Sequence, residues 1–220
     1  MSENSAEEIF RILREEHEKR LEDGDYFTLD HRESALSSLE LTAELLPRTR
    51  SDVAIWKWVI LSTHDALFQA ITGALAGHNT LNHLYKKGRQ IMLKSWNNDG
   101  NHTETEFSKE QVKEISHVAG FAELWDRTKD SDMMHRAPIT VTDTEDRRIK
   151  DLNSFRGDML HPDVSVHLFI THGLPEMIDT AATICANLLT THPSHCIHFK
   201  DSQRKRLEKA LLVCQNFLKA

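Results

Sequence analysis

The sequence predicts an all-α fold, a helical bundle of about seven or eight helices with one short extended arm. Three observations predict it. Glycine and proline are scarce, 8 and 5 among 220 residues, so few positions interrupt a helix. Apolar residues recur at spacings of three and four through most of the chain, the period of a helix with one buried face. Ser, Asp and Asn stand just ahead of several of these periodic segments, where their side chains can cap a helix N-terminus.

The periodicity predicts a first helix from about Ala6 to Leu21, with Ile9, Ile12 and Leu13 on one face, stopped by the Asp23-Gly24 turn. A second spans roughly Arg32 to Leu46 and ends before Pro47. Asp52 is expected to cap a long central helix reaching Gly77, a residue suited to a left-handed C-terminal position. Asn79 can cap the next helix, about Thr80 to Trp96, and the polar stretch Asn97 to Phe107 reads as an exposed loop. Ser108 with Gln111 makes a capping box for a helix running to about Thr128. An irregular stretch holds Ala137-Pro138 and the β-prone run Ile139 to Thr142. Asp143 can cap a helix to Leu160, ended by Pro162, and Val164 to Ile170 reads as the extended arm. Gly173-Leu174-Pro175 opens another helix to about Leu189, and a basic amphipathic helix from Ser202 to Leu218 closes the chain.

Length and composition predict one domain over residues 1–220. The formal charge of −7, from 34 acidic and 27 basic side chains, gives no broad attraction for a phosphate backbone, so any nucleic-acid contact must be local. Cys185, Cys196 and Cys214 form no C-x-x-C pair and read as reduced thiols. The polar, acidic N-terminus MSENSAEEIF lacks the order of a signal peptide, so the cytoplasm is the expected location. The apolar run Val53 to Ala76 is long enough to span a bilayer, but Lys57, His64, Asp65 and Gln69 within it point to a buried core helix and no membrane partner.

The segment Asn153-Ser-Phe-Arg156-Gly-Asp-Met-Leu-His161-Pro162 places a permanent cation five residues before a titratable imidazole. On a continuing helix the two would diverge by about 140°, but the residue before a proline is pushed out of the helical region, so His161 can swing back toward Arg156. The helix C-terminus favours the imidazolium and places this His to act as an acid or base near neutral pH. Arg156 follows Ile149 and Leu152 at spacings of seven and four, on the face turned to the bundle, where a guanidinium needs partners. Asp65, beside His64 on the central helix, is the expected counter-ion.

Arg, four intervening residues, then His at the end of a late helix in an all-α chain resembles the Rx4-6H motif of HEPN-domain proteins. Trp56-Lys-Trp58 to Gln69 on a long helix, and His161-Pro162 followed by an extended stretch and Gly173-Leu174-Pro175, look like a bacterial HEPN-like group. The resemblance covers a core of about 52–189, leaving a helical flank, 1–51, and the C-terminal helix, about 200–220. It implies a metal-independent endoribonuclease acting on single-stranded RNA, with Arg156 and His161 catalytic, no cofactor, and a homodimer pairing two copies of the motif. A host-defence or toxin setting, with an antitoxin or regulatory protein as partner, is implied by the same analogy. Active relatives often carry a polar residue, commonly Asn, after the Arg; here it is Gly157, and Asn153 one turn earlier is the substitute.

His64 and Asp65 are expected to support the site, and Arg147, Arg148 and Lys150 to contact the RNA backbone. Arg156 and His161 also have a purely structural reading, an Arg paired with a core carboxylate and a His capping a helix end, which would leave a non-catalytic binding or dimerisation module. The cluster His192, His195, Cys196 and His198 has ligand types at short spacing but matches no standard zinc pattern, and no metal is expected there.

Overall fold

The computed structural model describes residues 30–77, 81–98, 108–160, 172–196 and 199–219. Among them are nine α-helices, one 3-10 helix and no strand, so the chain is an all-α helical bundle. The helix expected near Ala6 to Leu21, and the arm Val164 to Ile170, lie outside the described residues. The chain divides into two compact units, one of Asp30–His83 with Gly120–Ala220, the other including Leu84–Ala119.

In the larger unit, Asp30 caps α1 (His31–Leu45), its Oδ1 accepting from Glu33 N at 2.8 Å. Pro47 does not end the helical path. It sits in the first positions of a 3-10 helix, Leu46–Arg50, where a missing N–H costs nothing. Asp52 Oδ1 accepts from Ala54 N at 2.9 Å and shapes the turn before α2 (Ile55–Ala76), whose N-cap is Ala54 rather than Asp52. α2 is long and apolar enough to cross a membrane by length and composition, yet 67% of its apolar stretch is buried inside the protein.

α1 lies along α2 through both apolar and polar contacts. Leu36 and Leu39 are fully buried, and between them and α2 run hydroxyl bonds from Thr42 Oγ1 to Ser62 Oγ at 2.8 Å and to Thr63 Oγ1 at 3.2 Å. These hydroxyls also bond backbone carbonyls one turn back, so no buried polar atom among them is left unmet. α2 also packs against α5 (Phe121–Arg127), α6 (Asp143–Leu160), α7 (Leu174–Thr191) and the short α8 (Pro193–Cys196). α9 (Asp201–Lys219) covers α1 and α7, and Arg206 forks onto Glu40 at 2.8 and 2.6 Å while reaching Glu33 at 2.6 Å.

Gly77 is not the left-handed residue expected of it, having φ −47° and ψ 145°. Its reason is close approach: a Cβ there would meet Ser194 Oγ at 1.8 Å and Cβ at 2.4 Å. One turn earlier, a Cβ on Gly73 would fall 2.5 Å from His195 Cε1. The pair lets α8 seat on α2, where Ser194 Oγ donates to Ala74 O at 3.2 Å and His195 Nε2 bonds Ala70 O at 2.8 Å. The left-handed glycine is Gly173, with φ 87°, which starts α7 ahead of Pro175.

α6 is capped one residue earlier than expected, by Thr142. Its Oγ1 accepts from Glu145 N at 3.3 Å while Glu145 Oε2 accepts from Thr142 N at 2.8 Å, a reciprocal capping box. Before it, the run Ile139 to Thr142 forms no strand, because only Ile139 N finds a backbone carbonyl, Thr128 O at 2.8 Å.

The smaller unit holds α3 (Lys86–Asn98) and α4 (Lys109–Ile115). Two expectations are corrected here. The helix expected over Thr80 to Trp96 starts at Lys86, because Leu84 pairs with Val118 in an antiparallel bridge and Tyr85 N donates to His117 O at 2.8 Å. The helix expected from Ser108 to Thr128 opens with the capping box Ser108/Gln111 but stops at Ile115, and α5 begins anew after Gly120. Pairing with Leu84, distant in sequence, ends α4, and no local periodicity reports it.

Alanine at Gly73 or Gly77 should lower unfolding free energy by about 1–3 kcal/mol through overpacking, most at Gly77, where the added Cβ would come closest to its neighbour, 1.8 Å from Ser194 Oγ. Denaturant unfolding of the two single variants checks this; wild-type stability in both would mean that α8 does not seat on α2 as described.

Candidate functional site

Helical period places Ile149, Leu152, Asn153 and Arg156 on one stripe of α6. Ile149 and Leu152 are fully buried against the bundle, whereas Asn153 and Arg156, nearer the end of the helix, are half-buried. His64 of α2 is the group Asn153 meets.

His64 is 7% exposed, with its ring 4.4 Å from that of Phe121 and stacked at 6.3 Å on Phe68. Its Nε2 bonds Asn153 Oδ1 at 3.1 Å. An amide oxygen only accepts, so the ring carries its proton on Nε2. Burial lowers the His64 pKa to about 4, with the nearby Arg156 charge acting in the same direction and the Asn153 bond and Asp65 opposing it. At neutral pH His64 is therefore an uncharged donor.

The expected Arg156–Asp65 pair does not form. Successive residues on a helix point about 100° apart, so while His64 faces α6, Asp65 faces α1. There it accepts from Ser38 Oγ at 2.6 Å and from Gln69 Nε2 at 3.4 Å, and Gln69 Oε1 meets His31 Nδ1 at 2.9 Å. Arg156 makes no ion pair or hydrogen bond among the described residues. His161 lies outside them.

The three expected backbone contacts are not gathered around Arg156. Arg147 is exposed and lies nine residues before Arg156, about 180° around the helix. Arg148 Nη1 donates to Thr180 Oγ1 at 3.2 Å, and Lys150 Nζ holds Asp146 at 2.7 Å. Asp146 also takes Trp125 Nε1 at 2.9 Å and the ammonium of Lys129, which ties α5 and the following turn to α6.

His192 and His195 act as pins between elements. Both are buried, their Nε2 atoms directed at Met134 O, 3.4 Å, and Ala70 O, 2.8 Å, and burial lowers both pKa values, that of His195 to about 4. His198 lies outside the described residues, and among those described no three ligating side chains converge. The three cysteines are free thiols, with burial pushing Cys185 and Cys214 up to about 12.

Phe121 and Phe68 are site residues that sequence reasoning missed. Phe68 is on the face of His64, four residues on, a spacing that could have found it. Phe121 reaches the site only through the packing of α5 on α2, which has no local signature. A groove of about 330 Å³, lined by Ala137–Val141 and by Thr183, Asn187 and Thr191 of α7, was also not foreseen, and none of its lining residues belongs to the His64 cluster.

No family model, no curated protein and no solved structure matches the chain.

Two measurements probe this geometry. For His64 and His195 the folded pKa near 4 lies below the ordinary 6.5. Their contribution is present above pH 6.5 and is lost as pH falls toward 4, about 3 kcal/mol for each ring. Denaturant unfolding at pH 7, 6 and 5 should show that fall, flattened in His195→Gln; a constant midpoint would contradict it. Separately, a Cβ on Gly157 meets nothing within 4 Å. Gly157→Ala should therefore raise stability by about 0.5–1 kcal/mol through helix propensity alone, read from the thermal midpoint.

Proposed function

We propose that this helical protein is a HEPN-like endoribonuclease that cleaves single-stranded RNA without a metal, with Arg156 and His161 as the reacting groups. The observation that carries the reading is the state of Arg156. It sits on the inward stripe of α6, half-buried, and no carboxylate among the described residues neutralises it, since Asp65 is held by Ser38 and Gln69. A guanidinium in a partly desolvated place, with no counter-ion among the described residues, is suited to grip a phosphate with paired N–H donors.

Cleavage of RNA by its own 2′-hydroxyl needs a base for that proton, an acid for the departing 5′-oxygen, and positive charge near the phosphorane. His161 supplies one proton-transferring group and Arg156 the charge. One imidazole does not fill both proton roles, so the reading includes a homodimer that brings two motifs to one phosphate. With a formal charge of −7, the chain would hold RNA through this local cation rather than a broad basic surface. An antitoxin or regulatory protein remains the proposed partner class.

A second reading, a non-catalytic binding or dimerisation module, is favoured by one observation: Gly157 offers no side chain beside Arg156 to orient the imidazole.

Labelled single-stranded RNA incubated with the protein in excess EDTA should yield 2′,3′-cyclic phosphate ends. Arg156→Ala should slow this by about 10²–10³-fold and His161→Ala by about 10²–10⁴-fold. Equal cleavage by all three proteins, or none by any at high enzyme concentration, would remove the nuclease reading and leave the binding module.

A further inference from the structure

Beside Arg156 stands a second donor whose direction is set from the core. Asn153 lies one turn earlier on the same stripe of α6, and its Oδ1 accepts from His64 Nε2 at 3.1 Å. A carboxamide has an acceptor end and a donor end, so whatever holds Oδ1 also decides where Nδ2 points. Nδ2 makes no hydrogen bond among the described residues. The anchor itself is firm: His64 is 7% exposed and its ring is packed against Phe121 and Phe68.

We propose that Asn153 Nδ2 and the Arg156 guanidinium form one cradle for a single phosphodiester group of single-stranded RNA, with His64 as a positioning residue that acts only through Asn153. The proposal rests on the reading of Arg156 as the phosphate-gripping cation. Its chemistry is donor-only. With Oδ1 turned to His64, the groups left to face a ligand, Asn153 Nδ2 and the guanidinium, are donors, which matches the non-bridging oxygens of a phosphodiester, acceptors that bear a negative charge. Were His64 replaced by a residue that cannot donate, the carboxamide would be free to turn Oδ1 toward the ligand, where it would repel the anion. Burial keeps the ring uncharged, and the Asn153 oxygen, which only accepts, selects the tautomer with the proton on Nε2.

The test is equilibrium binding of a fluorescein-labelled 2′-O-methyl single-stranded oligonucleotide, which lacks the hydroxyl needed for cleavage, with the thermal midpoint of every variant recorded. Asn153→Leu should bind about 10-fold more weakly than wild type, and His64→Leu by a similar factor. His64→Gln should restore most of the affinity, since its amide nitrogen can donate to Asn153 Oδ1. The double variant His64→Leu/Asn153→Leu should be no weaker than Asn153→Leu alone, a non-additivity that general loosening of the core would not produce.

Wild-type affinity in folded Asn153→Leu, additive losses in the double variant, or no binding by the wild type would each overturn the cradle. Its failure is separable from that of the nuclease reading. Binding that depends on Asn153 in a protein that cleaves nothing would defeat only catalysis, and cleavage that depends on Arg156 with binding indifferent to Asn153 would defeat only the cradle.

Discussion

Thirteen of the 22 positions of α2 are buried, and a helix apolar around so much of its circumference holds in water only when other elements cover it. The larger unit is arranged by that need. α1, α5, α6, α7 and α8 each pack on α2, and α9 covers α1 and α7 from outside. Val59, Ile60, Leu67, Ile71 and Leu75 are essentially removed from solvent, a contribution on the order of 10 kcal/mol before conformational entropy is set against it. Close covering also makes particular demands: Gly73 and Gly77 leave bare backbone where α8 comes nearest.

Polar groups inside so apolar a helix need partners, and the way each is met distributes structure and chemistry around α2. Ser62 and Thr63 join Thr42 of α1, and Asp65 joins Ser38. His64, turned the other way, joins Asn153 of α6. Two adjacent residues thus serve different interfaces, one structural and one reaching a half-exposed surface. With Asp65 turned to α1, Arg156 has no carboxylate partner among the described residues, and the proposed phosphate-gripping role depends on that. The other histidines of the core serve packing, His195 locking α8 to α2 and His192 reaching the turn before α6.

Much of the fold was legible in the sequence because helices report themselves locally. Apolar spacing marked α1, α2, α6, α7 and α9 to within a few residues, and the Ser108/Gln111 and Gly173-Leu174-Pro175 signals were read as the structure has them. Errors fell where a distant partner overrides local preference. The bridge between Leu84 and Val118 delays α3 and ends α4, and neither residue carries a mark of the other. Gly77 was read for its conformational freedom when its service is to make room.

For the candidate site the division is sharper. By itself the sequence determined which side chains exist with chemistry to offer, and that Arg156 shares the inward stripe of its helix with Ile149 and Leu152, because helical period is a property of the chain alone. Only the tertiary structure decided what those side chains meet: that His64 grips Asn153, that burial among Phe68 and Phe121 strips it of charge, and that Asp65 turns to α1. Partners and dielectric surroundings arise from segments brought together across tens of residues, and no periodicity within one segment encodes them.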